Sequence, residues 1–243
     1  MVSSFPVTGS IDRARREAIR REVILPDEFY NRISEKNRRL SFSVAGLANL
    51  SQVQHVKDQL DRVLLEGLTF QEFKNRVRSG DINVNLPNYR LQNIFRTNVS
   101  FAINRGRLEK QLAHTSTHPI WEYETAGDED VRDNHAAMNG TRLPANHDWW
   151  RNHYTPNGFN ERCRVISRTT QQSLDSGGIT PAPNVQPDPG FNYDKIAPNS
   201  EEQGVRRALR RESRRSASVF EFPAAVALVA SFISSLISVI DDV

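Results

Sequence analysis

The chain has 243 residues, of which 37% are hydrophobic, with a net charge of +3 and one cysteine. That length supports one sizeable core with appendages, and the modest apolar fraction implies that part of the chain is extended or completed by a partner. A single cysteine excludes an intrachain disulfide framework and any all-cysteine zinc site; the first residues lack the apolar run of a signal peptide, and no solenoid-length repeat is present.

In chain order, the spacing first predicts a charged helix over Ile11–Leu25, stopped by Pro26. Arg13, Arg16 and Arg20 share one face, and Glu17 lies four residues from both Arg13 and Arg21. Such a run reads either as a solvated helix or as a contact for nucleic acid or an acidic surface. Phe42–Leu50 is small and apolar. Ser51 then stands as the expected N-cap of a helix on which Val53, Val56, Leu60, Val63 and Leu64 share a face and which Gly67 ends. His55 reads as an ordinary surface residue. Thr69 and Glu72 have capping-box spacing and open a short helix, Phe70 to Val77. Asn85-Leu86-Pro87 introduces a longer helix, Tyr89 to Ala113, in which Leu91, Ile94, Phe95, Phe101 and Leu108 recur at the helical period. The polar run Arg96-Thr97-Asn98 inside it makes interhelix or surface hydrogen bonds, or else turns Arg96, with Arg105, toward the stretch that follows.

That stretch, Ile120–Ser167, holds all three tryptophans, three of the six histidines and Cys163; a fourth histidine, His118, lies just before it. Ile120–Thr125 alternates like a strand. Asp128 is placed to cap a helix from Glu129 to about Met138, with Asp128, Arg132 and His135 on one face and Asn139-Gly140 at its end. Thr141–Leu143 reads as a short strand, Asn146–Trp150 and Thr155–Gly158 as loops, and Arg162–Ser167 as a closing strand. His135 and Cys163 admit three readings. They are small buried core groups; or they ligate zinc together with His147, His153 or Asp128, since imidazole nitrogen and thiolate sulfur suit that ion; or Cys163 is a nucleophile activated by His135, its thiol pKa lowered by Arg162 and Arg164.

Thr169–Ser200 is rich in Ser, Gly, Pro and Asn and reads as a linker. Beyond it, VRRALRRESRR places Arg206, Arg210 and Arg214 in one i+4 row and Arg207, Arg211 and Arg215 in the next. With no aromatic residue interleaved, phosphate contact is the natural role, in DNA or anionic lipid, with a solvated helix as the alternative. Phe222–Ile240 has no charge over 19 residues, enough to span a bilayer core. Its rows of Ala and Ser equally permit close packing of a helix within an assembly.

Several motifs in order resemble one family. They are Trp121-x-Tyr-x-Thr-Ala-Gly-Asp128, Val131-Arg132-x-x-His135-x-x-Met-Asn-Gly140, Pro156-Asn-Gly158 and Arg162-Cys163-Arg164-Val165. Upstream stand Phe42–Leu47, Gly67–Phe73 and the Arg96-Thr97-Asn98 helix; downstream stands Asp188-Pro-Gly-Phe-Asn-Tyr193. Together they resemble the phage Mu F-like head morphogenesis family, the minor head proteins of tailed bacteriophages, over roughly residues 41–193. The family usually carries Cys-Arg-Cys near the end of this domain. Here Glu161-Arg162-Cys163 stands in its place, which removes a two-thiolate metal site and leaves Glu161 to offer oxygen beside His135 and Cys163.

The resemblance implies a low-copy virion protein that associates with the portal and other head proteins and with DNA, during head assembly or genome ejection. Its location would be the phage head interior or portal vertex, reached from the host cytoplasm during assembly. No established catalytic activity or cofactor comes with the family. The alternatives are a metal- or thiol-dependent enzyme using Asp128, Arg132, His135 and Cys163, or a membrane-inserting phage protein acting through residues 222–240. The expected fold is α+β: a helical arm over 1–40, a Mu F-like domain over 41–195, and a basic helix with an apolar helix over 196–243.

Overall fold

The structure, a computed structural model, describes residues 18–32, 41–47, 49–196, 207, 209–211 and 214. It is α+β, with two small sheets and helices gathered around two adjoining cores. Strand β1 (Glu22–Val23) pairs in parallel with β2 (Ser41–Phe42), and a short π-helical turn, Glu28–Arg32, lies between them in sequence. The expected helix over Ile11–Leu25 is corrected here. Among its described residues only Ala18 and Ile19 are helical, and the chain is extended at Glu22. Val23 and Ile24 are buried, and strand pairing with Ser41–Phe42 outweighs the local charge pattern.

Three helices build the first core. Helix α1 (Leu50–Glu66) begins two residues sooner than Ser51 suggests: Asn49 is the N-cap, accepting from the Gln52 amide at 2.9 Å, and Ser51 donates its hydroxyl to the same oxygen. Gly67 closes the helix at φ +74°, a left-handed geometry that a side chain disfavours. Thr69 and Glu72 form the capping box of α2 (Phe70–Arg78). Helix α3 (Asn88–Ala113) follows Pro87. Val53, Val56, Leu60, Phe73, Val77 and Leu91 pack together, with Ile94 and Phe95 partly buried against them. Lys57 lies on the same buried face of α1. It is tolerated because its ammonium donates to the Ile19 carbonyl at 2.7 Å and to Asp61 at 2.6 Å.

At 26 residues, α3 is about 39 Å long at 1.5 Å per residue, so it reaches from the first core into the second. There Leu108 joins Trp121, Tyr123, Met138, Leu143, Trp150, Tyr154 and Val165. The second core rests on an antiparallel sheet ordered β4-β3-β5. Its strands are β3 (Ile120–Glu124), β4 (Arg142–Pro144) and β5 (Arg164–Arg168). Trp121 faces Leu143 on one side and Ser167 on the other, and Tyr123 pairs with Val165. Helix α4 (Asp133–Met138) precedes β4, α5 (Trp149–His153) follows it, and α6 (Thr170–Asp175) follows β5. The region expected to be a loop at Asn146–Trp150 thus runs into a helix at Trp149. The tryptophans hold it: Trp150 meets Trp121 edge-on at 5.8 Å between ring centroids and donates its indole N–H to the Pro144 carbonyl. Edge-to-face contacts of this kind add about 0.5–1.5 kcal/mol each beyond simple burial.

The segment after α6 is not a free linker. Its backbone is bonded to the domain at several points along its length. Thr180 donates to the Arg142 carbonyl, and the carbonyls of Pro183 and Val185 meet the Trp149 indole and the His153 ring. Asp188 donates its amide to the Asn157 carbonyl, and Lys195 donates to that of Arg151. The prolines here stiffen an extended strap, which lowers the entropic cost of laying it on the surface. Beyond residue 196, Leu209 is buried against Ile24, and Arg210 pairs with Glu22 at 2.6 Å. Arg206, Arg215 and the apolar run over 222–240 lie outside the described residues. Among the described residues no helix is long and apolar enough to cross a membrane.

Candidate functional site

Three buried side chains from three local structures converge. His135 comes from the middle of α4, Glu161 from the loop before β5, and Cys163 from the residue next to that strand. Their exposures are 1%, 5% and 6%. His135 Nδ1 lies 3.3 Å from Glu161 Oε2 and 3.5 Å from Cys163 Sγ, and one ligand atom from each residue falls within 4.8 Å of the others. On the opposite edge of the ring, Nε2 donates to Asp188 Oδ1 at 3.3 Å. Asp188 in turn accepts from Asn134 at 2.9 Å and faces Arg132 at 3.4 Å. The ring is therefore fixed with its proton toward Asp188 and its lone pair toward Glu161 and Cys163.

Glu161 is the unusual member. Neither of its carboxylate oxygens accepts a hydrogen bond of good geometry, although both are buried. A buried carboxylate in that position costs free energy unless it is neutralised or paired. Burial accordingly pushes its pKa up to about 8, with the Asn157 amide and Lys195 pulling weakly the other way. Burial likewise pushes the Cys163 thiol up to about 11, reinforced by Glu161, and lowers that of His135. Lys195 is brought down to about 7 by its own burial and is held by Asn157 at 2.6 Å and by the Asn152 carbonyl.

A cavity of about 230 Å³ opens on this cluster, lined by His135, Glu161 and Cys163 together with Arg96, Arg132 and Arg162. Arg96 thus borders the site, while Arg105 turns to the Lys195 carbonyl. Thr97 accepts the Asn160 amide at 2.9 Å and so ties α3 to the loop that carries Glu161, and Asn98 accepts from Arg21. The run thus makes hydrogen bonds and turns Arg96 toward the site, whereas Arg105 contacts the chain beyond that stretch.

The sequence-predicted residues divide clearly. His135, Cys163 and Glu161 converge, and Arg132 reaches them through Asp188. Asp128 does not share a helix face with His135: α4 starts only at Asp133, and the Asp128 carboxylate is held at the surface by both guanidinium nitrogens of Arg162, at 2.5 and 2.6 Å. That pairing, and the pairing of Arg164 with Glu124, directs both arginines to carboxylates and leaves burial to dominate the thiol. His147 accepts the Trp149 amide, and His153 stacks on the Trp149 ring at 4.2 Å. Neither joins the cluster. Sequence reasoning assigned no role to Asp188, Asn157 or Lys195. Asp188 and Asn157 carried a signal, since they stand in the Asp-Pro-Gly-Phe-Asn-Tyr and Pro-Asn-Gly elements; Lys195 carried none beyond polarity.

Fold and site together define a small α+β domain closed around a buried imidazole–carboxylate–thiol cluster. Residues 54–166, a little under half of the chain, match the family model described as Phage Mu protein F like protein, so this segment is Mu F-like. It is 24% identical over 169 residues to a protein of Escherichia phage Mu named "Putative capsid assembly protein F". That similarity covers 61% of this chain and 38% of the phage Mu protein, so the chain corresponds to well under half of that relative. No solved structure matches the chain.

Proposed function

We propose that the chain acts in phage head assembly, as a low-copy head component that contacts the portal vertex and the packaged DNA. The observation that carries this reading is the Mu F-like segment, residues 54–166, joined to a similarity with a phage protein named for capsid assembly. The fold supports it in a second way. The strap over residues 179–196 and the docking of Leu209 on Ile24 bring the basic segment back against the N-terminal strand, with Arg207, Arg211 and Arg214 exposed. Exposed guanidinium groups in rows are suited to phosphate contact without base reading. A thiol-dependent enzyme draws less support: a thiol pushed up to about 11 holds little thiolate at neutral pH, and Asp128 stands apart from His135.

The test is duplex DNA retention and portal co-sedimentation by the full-length chain across a salt series. The variant replaces Arg207, Arg210, Arg211 and Arg214 by Gln. Wild type should lose affinity linearly on a log–log salt plot, and each lost phosphate contact should reduce the slope by about 0.9. Portal binding should survive the replacements. A salt-independent DNA affinity, or wild-type retention by the variant, would overturn the DNA contact; failure to co-sediment with portal would overturn the portal contact.

A further inference from the structure

We infer that His135, Glu161 and Cys163 bind a zinc-class divalent cation, with a fourth coordination position open to the arginine-lined cavity. The donor set is one imidazole nitrogen, one carboxylate oxygen and one sulfur, which suits zinc and cobalt better than magnesium or calcium. The spacing agrees with the geometry of such an ion. With metal–nitrogen and metal–oxygen bonds of about 2.05 Å and a metal–sulfur bond of about 2.3 Å, a tetrahedron separates nitrogen from sulfur by about 3.5 Å and nitrogen from oxygen by about 3.3 Å. The observed separations are 3.5 and 3.3 Å.

Two independent features point the same way. Both Glu161 oxygens are buried and neither accepts a hydrogen bond of good geometry, a deficit that a bound cation would fill. Asp188 also holds the far nitrogen of His135, an arrangement that fixes the tautomer and raises the basicity of a ligating imidazole. Three protein ligands leave one tetrahedral position. The cluster lines the polar cavity bordered by Arg96, Arg132 and Arg162, where water or a small anion has room. A neutral imidazole, a carboxylate and a thiolate together balance the ion's two positive charges. The inference stands apart from the head-assembly reading, since a head protein is compatible with either a metal-bound or a metal-free domain.

The experiment is titration of the metal-stripped full-length chain with Co²⁺, read by visible and near-ultraviolet absorption, then displacement by Zn²⁺ and elemental analysis of the product. The expected result is one cobalt per chain, with tetrahedral ligand-field bands and a thiolate charge-transfer band. Cys163→Ser should abolish the charge-transfer band, and Glu161→Gln should weaken binding with the tryptophan near-ultraviolet circular dichroism unchanged. Asp188→Asn, which touches no metal, should weaken it about 10- to 100-fold. Glu161→Cys should tighten it, because a second thiolate is the softer donor. His147→Ala should leave it as in wild type. No cobalt bound at equimolar to millimolar concentration would overturn the inference, as would a spectrum unaffected by Cys163→Ser and Glu161→Gln.

Discussion

Replacing Gly158 by Ala isolates the support beneath the His135–Asp188 contact. A Cβ built on Gly158 would stand 2.2 Å from Asp188 Oδ2, 2.9 Å from its Cγ and 3.0 Å from an Arg132 guanidinium nitrogen. Carbon and oxygen approach comfortably at about 3.3 Å, so the carboxylate must retreat by about 1 Å. Its hydrogen bonds to Asn134 and His135, at 2.9 and 3.3 Å, do not survive such a shift together. Overpacking of this kind costs about 1–3 kcal/mol. Where the backbone accepts it, Ala in place of Gly returns about 0.4–1 kcal/mol by narrowing the unfolded ensemble. The net loss is then about 1–2 kcal/mol, or roughly 2–8 °C in the melting temperature of a domain this size. Calorimetry of the single variant and of a cycle with Asp188→Ala gives the answer, since the penalty should vanish once the carboxylate is gone. A Gly158→Ala protein that melts at or above the wild type refutes the reasoning. So does a cost that persists in the Asp188→Ala background.

Other substitutions read out different supports. Gly67→Ala meets no neighbouring atom, but φ there is +74°; it should cost about 1 kcal/mol and be insensitive to changes at Asp188, as chemical denaturation will show. Trp150→Ala empties the centre of the second core and should cost about 3–5 kcal/mol, lowering the melting temperature by roughly 6–20 °C. Tyr154→Phe leaves the buried Gln111 oxygen without its 2.7 Å donor and should cost about 1–3 kcal/mol by urea titration. A chain ending at residue 178 loses the strap that carries Asp188 and Lys195. It should show weakened tryptophan near-ultraviolet circular dichroism and a lower melting temperature than the full chain.

Much of this arrangement is written in local pattern. The heptad-like apolar spacing of Val53–Leu64, the Thr69–Glu72 capping box and the left-handed Gly67 mark the helices of the first core, because each is a short-range signal with a local energetic cause. The alternation in Ile120–Glu124 marks the central strand, and the conjunction of His135, Glu161 and Cys163 emerges from residue chemistry and family pattern. What stayed hidden depends on long-range partners. Asp128 reads as a helix cap until Arg162, 34 positions away, takes its carboxylate. Glu22–Val23 reads as helix until Ser41–Phe42 supplies a strand to pair with. The strap reads as linker because four prolines punctuate it and it continues a Ser- and Gly-rich run. Its hold on the domain comes from backbone carbonyls meeting Trp149 and His153, and backbone carbonyls leave no trace in side-chain pattern.

The central proposal is that this chain, with its Mu F-like segment, is a constituent of the phage head. Quantitative mass spectrometry of gradient-purified heads, produced by the encoding genome with and without an intact copy of the gene, tests it most directly. The account predicts the chain in mature heads at a few copies per particle, and defective assembly or DNA delivery when it is missing. Heads that lack the chain in the wild type, and that form and deliver DNA normally without the gene, would contradict it.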